Sequence, residues 1–286
     1  MIIKILKKFL DGELISSILR KILIFFIQKN IFNFSIKSLV DLDLSNRPHY
    51  LYCLYHSAVL AKKIGLNKIS VIEFGVAGGN GIIFLEGYQK KIYDELGVKI
   101  EIYGFDLGSG LSKPEDHRDL PYWFQEGFYK MDSENLNKKL KNSKIIIGDV
   151  KNTIQEFFKK YNPSPIGAIF NDLDFYTSTK YSFEIFKNNN DKYYLPRIFC
   201  YFDDTIGSEE EMYGKFNGEL LAIEEFNDEN KNKKIALNQC LISKNKSYYR
   251  HQIYYYHDFQ HQDYNKFIYN EEQSKLSKHL ILKKKT

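Results

Sequence analysis

Apolar residues recur at helical spacing near the start of the chain, at Leu6, Phe9, Leu10, Leu14, Ile18, Ile22, Phe25 and Phe26. A stripe of that period predicts an amphipathic helix. A second helical stretch runs from Arg47 to Ile64 and stops at Gly65. The pattern then changes to short apolar runs, most of them followed by helical spacing. Val71–Phe74, Lys99–Asp106, Lys144–Asp149, Ile166–Asp174 and Arg197–Asp204 read as strands. Between them, helices are predicted from Ile82 to about Leu96, over 151–161, from a cap at Thr177–Thr179, and over Gly218–Phe226. Lys234–Ser243 and Gln252–Phe259 read as two closing strands around a polar turn. Alternating strands and helices followed by a hairpin predict an α/β fold: a doubly wound sheet with helices on both faces. The polar–apolar alternation of Lys99–Asp106 predicts an outer place for that strand.

Residues 1–44 are predicted to be an N-terminal helical extension, and 45–286 the main domain. The longest uncharged run in the extension, Ile22 to Gln28, is too short to span a bilayer. Packing on its own domain or a second subunit, as in a homo-oligomer, is the preferred reading. Peripheral membrane contact through residues 1–30 is the alternative. Segment 107–142 is long and irregular yet carries the only Trp and several other aromatics, so it reads as a lid or substrate loop. The basic tail Lys283–Lys285 reads as solvated.

Composition adds little. A net charge of +5 over 286 residues does not call for nucleic acid. Cys53, Cys200 and Cys240 lie far apart, the last two inside predicted strands, and read as reduced core thiols of a cytoplasmic protein. His49 and His56 on the second helix read as structural or surface residues.

The chemistry gathers at the strand ends. Between the first strand and its helix the chain reads Glu73-Phe-Gly75-Val76-Ala-Gly-Gly79-Asn-Gly81. Glycines there allow a tight turn and a close approach of backbone to ligand at a helix N-terminus. The spacing lacks the G-x-G start of a dinucleotide turn. Every predicted parallel strand carries a carboxylate at or beside its end: Glu73, Asp106, Asp149, Asp172 with Asp174, and Asp203 with Asp204. In an open parallel sheet these ends converge on one ligand-binding rim. Glu73, Asp106 and Asp149 flank the glycine turn and would face a nucleoside, with an acid after the second strand suited to ribose hydroxyls. Asp172, Asp203 and Asp204 would suit a hard divalent cation.

The glycine motif resembles the first motif of class I S-adenosylmethionine-dependent methyltransferases. Asn171-Asp-Leu-Asp-Phe-Tyr-Thr-Ser-Thr179 resembles the D-x-D-x-Y-x-S-T segment of the macrocin O-methyltransferase-like family, Phe202-Asp-Asp204 its D-D pair, and Gly218-x-x-x-Ala222-Ile-x-Glu225-Phe226 the helix after it. The resemblance covers about residues 70–230. It implies the seven-stranded methyltransferase version of the Rossmann layout, with Glu73, Gly75, Val76, Gly79, Asp106 and Asp149 at S-adenosylmethionine. It implies Asp172, Asp203 and Asp204 at Mg²⁺ or Mn²⁺, and Asp174 as the general base. It further implies methyl transfer to a sugar hydroxyl on a small-molecule or glycan acceptor. Thr205 stands where the family has tyrosine, and 107–142 has no clear counterpart, so the acceptor stays open. Two rival readings are an NAD-dependent oxidoreductase and a non-catalytic glycan-assembly protein on the same fold.

Overall fold

The computed structural model describes residues 13–29, 31–244 and 248–268. The extension's Lys4, Leu6, Lys7, Lys8, Phe9 and Leu10 and the tail Lys283–Lys285 lie outside the described residues. In chain order the described elements are α1 (Glu13–Gln28), α2 (Ile36–Asp41), α3 (Pro48–Lys63), β1 (Lys68–Phe74), α4 (Asn80–Leu96), β2 (Lys99–Asp106), α5 (Ser133–Lys139) and β3 (Lys144–Ile147). They continue with α6 (Val150–Tyr161), β4 (Ile166–Asn171), α7 (Tyr176–Ser182), β5 (Tyr194–Phe202), α8 (Gly218–Glu229), β6 (Lys233–Leu237), α9 (Gln239–Lys244) and β7 (Ile253–Asp258).

Among the described residues the strands form one seven-stranded sheet in the order β3-β2-β1-β4-β5-β7-β6. The first five run parallel, and β7 enters antiparallel between β5 and β6. This is the seven-stranded methyltransferase variant of the Rossmann layout. The reversal between β1 and β4 opens the crevice where such sheets bind ligands. The central strands β1 and β4 are buried along nearly all their length, as expected for strands covered on both faces. α3 packs on that centre: Tyr50, fully buried, stacks on Phe170 of β4 at 4.3 Å between ring centroids.

Several expectations shift. β2 is an interior strand, not an outer one; its alternation is confined to its first half, and β3 holds the edge. The segment predicted as strand 234–243 breaks after Leu237. Asn238 turns the chain and accepts from the N–H groups of Cys240 and Leu241, starting α9. Cys240 is therefore exposed on a helix, whereas Cys53 and Cys200 are buried free thiols as expected. Asp172 and Asp174 lie beyond the end of β4, not within it. α7 has Phe175 at its N-cap, so Thr177–Thr179 lie inside the helix and do not cap it.

The extension helix packs one stripe on its own domain and leaves another exposed. Leu19, Leu23 and Ile27 pack against the core. Ile18, Ile22 and Phe25 form a second stripe, 60%, 46% and 53% exposed. No helix among the described residues is long and apolar enough to cross a membrane.

Segment 107–142 is folded down rather than loose. Asp119 is buried; its carboxylate accepts from Thr177 N–H and Thr177 Oγ1 at 2.9 Å each and from Glu115 N–H at 2.9 Å. It thus supplies the cap that α7's own residues lack. Leu120, Phe124 and Phe175 bury a small satellite cluster beside it, and Arg118 lies over the Tyr176 ring at 4.3 Å. Asp119→Ala would strand three donors. It is expected to lower unfolding free energy by about 3 kcal/mol, while Asp119→Asn, which keeps an acceptor, recovers part of it. Denaturant titration of the three proteins checks this; equal stability of the alanine variant would show that the latch contributes nothing.

Candidate active site

The turn after β1 is shaped by what glycine lacks. Gly75 has φ +81°, and a Cβ there would overlap the carbonyl oxygen of Asp172. The strand ladders continue through this point: Gly75 N–H donates to Phe105 O at 2.9 Å and Asp172 N–H to Phe74 O at 3.0 Å. Gly79 (φ +81°) is the N-cap of α4, where a side chain would collide with Leu136 of α5. Gly81 leaves room for Glu73 and Tyr50.

These elements bound one cleft of about 560 Å³ at the carboxyl ends of the parallel strands. Of the residues singled out in the sequence, Glu73, Gly75, Val76, Asp106, Asp149, Asp172, Asp174, Asp203 and Asp204 line it. Gly79 does not; it lies under Leu136 and shapes the turn from behind. With Glu115 and Glu211 the wall carries nine carboxylates, against two cations, Arg47 and Lys113.

Beside the glycine turn, Asp106 is already engaged. Its Oδ2 accepts from Val76 N–H (2.9 Å) and Ala77 N–H (2.8 Å), and Oδ1 from Gly108 N–H (2.6 Å). The carboxylate therefore holds the glycine turn in place and keeps one lone pair on Oδ1. Asp149 caps α6 through Lys151 N–H at 2.9 Å. Glu73 is buried; Oε1 accepts from Tyr50 OH at 2.7 Å and Oε2 has no partner. Burial is the main cause that raises its pKa to about 7, and the Tyr50 hydrogen bond and the Arg47 charge restrain the rise.

At the other side, single oxygens of Asp172, Asp203 and Asp204 lie within 4.8 Å of one another. Asp203 and Asp204 form a short 3₁₀ turn at the end of β5. Tyr201 OH donates to Asp203 Oδ1; Tyr213 OH donates to Asp204 Oδ1 at 2.9 Å, and Asp174 N–H to Asp204 Oδ2 at 2.9 Å. Each of these oxygens keeps a lone pair for a cation. Burial, then the neighbouring carboxylates, raise the pKa of Asp172 well above its usual range, that of Asp174 to about 9 and that of Asp204 to about 7. Bringing these groups together is unfavourable without a positive charge between them. Asp174 itself is buried with φ +59°, a left-handed backbone that points its N–H at Asp204.

Sequence reasoning missed Glu219. It is wholly buried in the first turn of α8; Oε2 accepts from Asp204 N–H at 3.0 Å, and Oε1 has no partner. Its place directly after Gly218 in the segment resembling the family helix was the available signal. Arg47 and Tyr50, which precede β1, were missed as well.

No family model matches this chain, and neither does any curated protein sequence. Solved structures similar to it include the calicheamicin methyltransferase CalS11, at 17% identity over 87% of this chain and 95% of that one, with a TM-score of 0.49. The O-methyltransferase NovP is similar at 12% identity over 72% and 79%, TM-score 0.47. MycE, a mycinamycin-pathway methyltransferase solved with Mg, SAH and mycinamycin VI, is similar at 12% identity over 81% of this chain and 56% of that one, TM-score 0.40.

The Glu73 environment predicts a pH dependence. A carboxyl with a folded-state pKa near 7 binds a proton that the unfolded chain releases near the ordinary 4.5. Its contribution is therefore fully present below about pH 4.5 and lost as pH rises through 7. The loss is on the order of 3 kcal/mol. Glu73→Gln keeps an acceptor for Tyr50 and removes the titration. Stability of the variant relative to wild type should rise between pH 5 and 8 in ligand-free protein. A pH-independent difference in urea unfolding would refute the assignment.

Proposed function

We propose that this chain is an S-adenosylmethionine-dependent O-methyltransferase using a divalent cation, magnesium or manganese, and acting on a sugar hydroxyl of a glycan or glycosylated small molecule. One observation carries the reading: a single cleft joins a glycine turn braced by Asp106 to the oxygen cluster of Asp172, Asp203 and Asp204. A hard cation with oxygen ligands fits that cluster, since three carboxylates surround a point that their own charges make unfavourable. When bound, the cofactor supplies a sulfonium methyl and the cation supplies Lewis acidity at the acceptor oxygen. The chain's own part is to position and to deprotonate. Asp106 offers its free Oδ1 lone pair to ribose, Asp149 stands where adenine would lie, and Glu73, Gly75 and Val76 line the same side, with Gly79 shaping the turn from behind. Asp174 takes the proton of the acceptor hydroxyl. The NAD-dependent alternative leaves Asp172, Asp203 and Asp204 without a role, and a non-catalytic assembly protein has no need of nine carboxylates in one cleft. The free thiols accord with a cytoplasmic setting.

Ligand-dependent melting tests the cofactor and the cation together. S-adenosylhomocysteine at about 100 times its Kd should stabilise the protein by about 2.7 kcal/mol, and NAD should not. Magnesium should raise the Tm of wild type but not of Asp172→Asn/Asp203→Asn, and methyl transfer should vanish in excess chelator. Equal stabilisation by NAD would remove the methyltransferase reading; full activity in chelator would remove the cation.

Asp174 can be tested cleanly because of its backbone. Asn tolerates the left-handed region as well as Asp does, so Asp174→Asn keeps the turn and its N–H to Asp204. The role of a mere helix cap is already filled by Asp119. Asp174→Asn should therefore fold and bind cofactor normally yet lose about 10²-fold or more in kcat. Near-normal turnover would take Asp174 out of the mechanism.

A further inference from the structure

Arg47 lies outside the segment that resembles known methyltransferases, and none of the chemistry above uses it. It stands at the N-cap of α3, immediately before Pro48. The proline ring narrows the backbone freedom of the residue before it. The guanidinium lies over the face of Tyr50, 5.0 Å from the ring centroid. A guanidinium held against a ring in this way is attracted to its π-face, while its N–H donors remain a fork that suits a carboxylate. Arg47 is half-buried and lines the cleft. Its side chain forms no hydrogen bond or ion pair among the described residues, although nine carboxylates share that cleft. Lys113, the other cation of the wall, is exposed on the lid segment.

The same phenol carries a complementary group at its other end. Tyr50 OH donates to Glu73 Oε1, and Glu73 Oε2 is buried without a partner. A cation on the ring face and an acceptor beyond the hydroxyl are thus held about one phenol apart by a fully buried residue. Opposite charges at that separation match an α-amino acid zwitterion, its carboxylate toward Arg47 and its ammonium toward Glu73. Both groups lie over β1 and α3, between the nucleoside acids of β2 and β3 and the oxygen cluster beyond β4 and β5.

We propose that Arg47 is the binding residue for the α-carboxylate of an amino-acid-bearing nucleoside, namely the methionine tail of the cofactor. The inference rests on the cofactor reading above but is separable from it. 5′-Methylthioadenosine has the nucleoside and thioether without the amino-acid tail, and decarboxylated S-adenosylmethionine lacks only the carboxylate. Calorimetric titration of ligand-free protein should show Arg47→Gln losing about 10- to 100-fold in affinity for S-adenosylhomocysteine. Its affinity for methylthioadenosine and for the decarboxylated compound should stay within about twofold. Arg47→Lys, which keeps charge without the fork, should fall between, and would carry the test if the glutamine variant failed to fold. An equal loss for all three ligands would make Arg47 a purely structural residue and overturn the proposal. Unchanged affinity for S-adenosylhomocysteine would overturn it too, and would return Arg47 to an acidic acceptor. Wild type binding neither S-adenosylhomocysteine nor methylthioadenosine would instead bring down the cofactor reading, and this inference with it.

Discussion

The cleft depends on one close backbone contact. The turn after β1 and the loop after β4 touch where Gly75 meets the carbonyl of Asp172, and only the absence of a side chain permits it. Hydrogen bonds from Gly75 N–H to Phe105 and from Asp172 N–H to Phe74 tie three neighbouring strand ends together at that point. The glycine turn and the acidic cluster are thereby fixed relative to each other by backbone, which is stiffer than any side-chain contact. Any residue with a Cβ at 75 would both need an unfavourable φ and push the two halves apart.

The second constraint is charge. Folding gathers nine carboxylates and two cations around one cleft, and the burial of Glu73, Asp174, Asp204 and Glu219 removes the water that would screen them. The chain offsets part of this with donors. Tyr201, Tyr213 and the Asp174 N–H serve the oxygen cluster, and three N–H groups serve Asp106. Two buried oxygens, Glu73 Oε2 and Glu219 Oε1, form no hydrogen bond among the described residues, which adds to the cost of burying these groups. The electrostatics and the geometry thus agree: the protein leaves this cleft acidic and short of positive charge.

Much of this was legible in the chain, and the exceptions have physical causes. Strand–turn–helix units were readable because the periodicity switches between 2 and 3.6; the second helix stops before Gly65 as predicted, and Gly97 caps the helix that ends at Leu96. The acids were placed correctly on one rim because topology alone sends the ends of parallel strands there. Their exact seats were not readable. Asp172 and Asp174 share a spacing of two with strand residues, but Asp174 adopts a left-handed backbone, which no local pattern announces. β2 took an interior place because sheet order is set by crossover connections, not by its own alternation. The strand expected to run through Cys240 ended at Asn238, whose side chain caps the next helix; an Asn before an apolar run was the available signal. Glu219, Asp119 and Arg47 act through contacts with residues 15, 58 and 3 positions away. The two longer ones are tertiary, and a stacked Arg at i, i+3 looks like any helix start.

The 107–142 segment lines the cleft as an anchored structure, not a free flap. Its first residues are held by Gly108 N–H on Asp106 and by Met131 N–H on Gly108 O. Its middle is latched to α7 through Asp119, and its last helix packs Leu136 against Gly79. Each anchor ends on an element that lines the cleft. Between the anchors, Tyr122, Trp123, Phe128 and Tyr129 are exposed, and Tyr122 OH reaches Glu211 O across to the loop after β5. Phe124, within this stretch, stays buried against Leu120 and Phe175, and moving the whole segment would also expose Asp119 and release the turn that Asp106 braces. Local openings follow the cheapest set of contacts. The exposed rings at 122, 123, 128 and 129 are therefore the part of the segment whose displacement uncovers least. The glycine turn, under Leu136 and the Asp106 hydrogen bonds, keeps its shape.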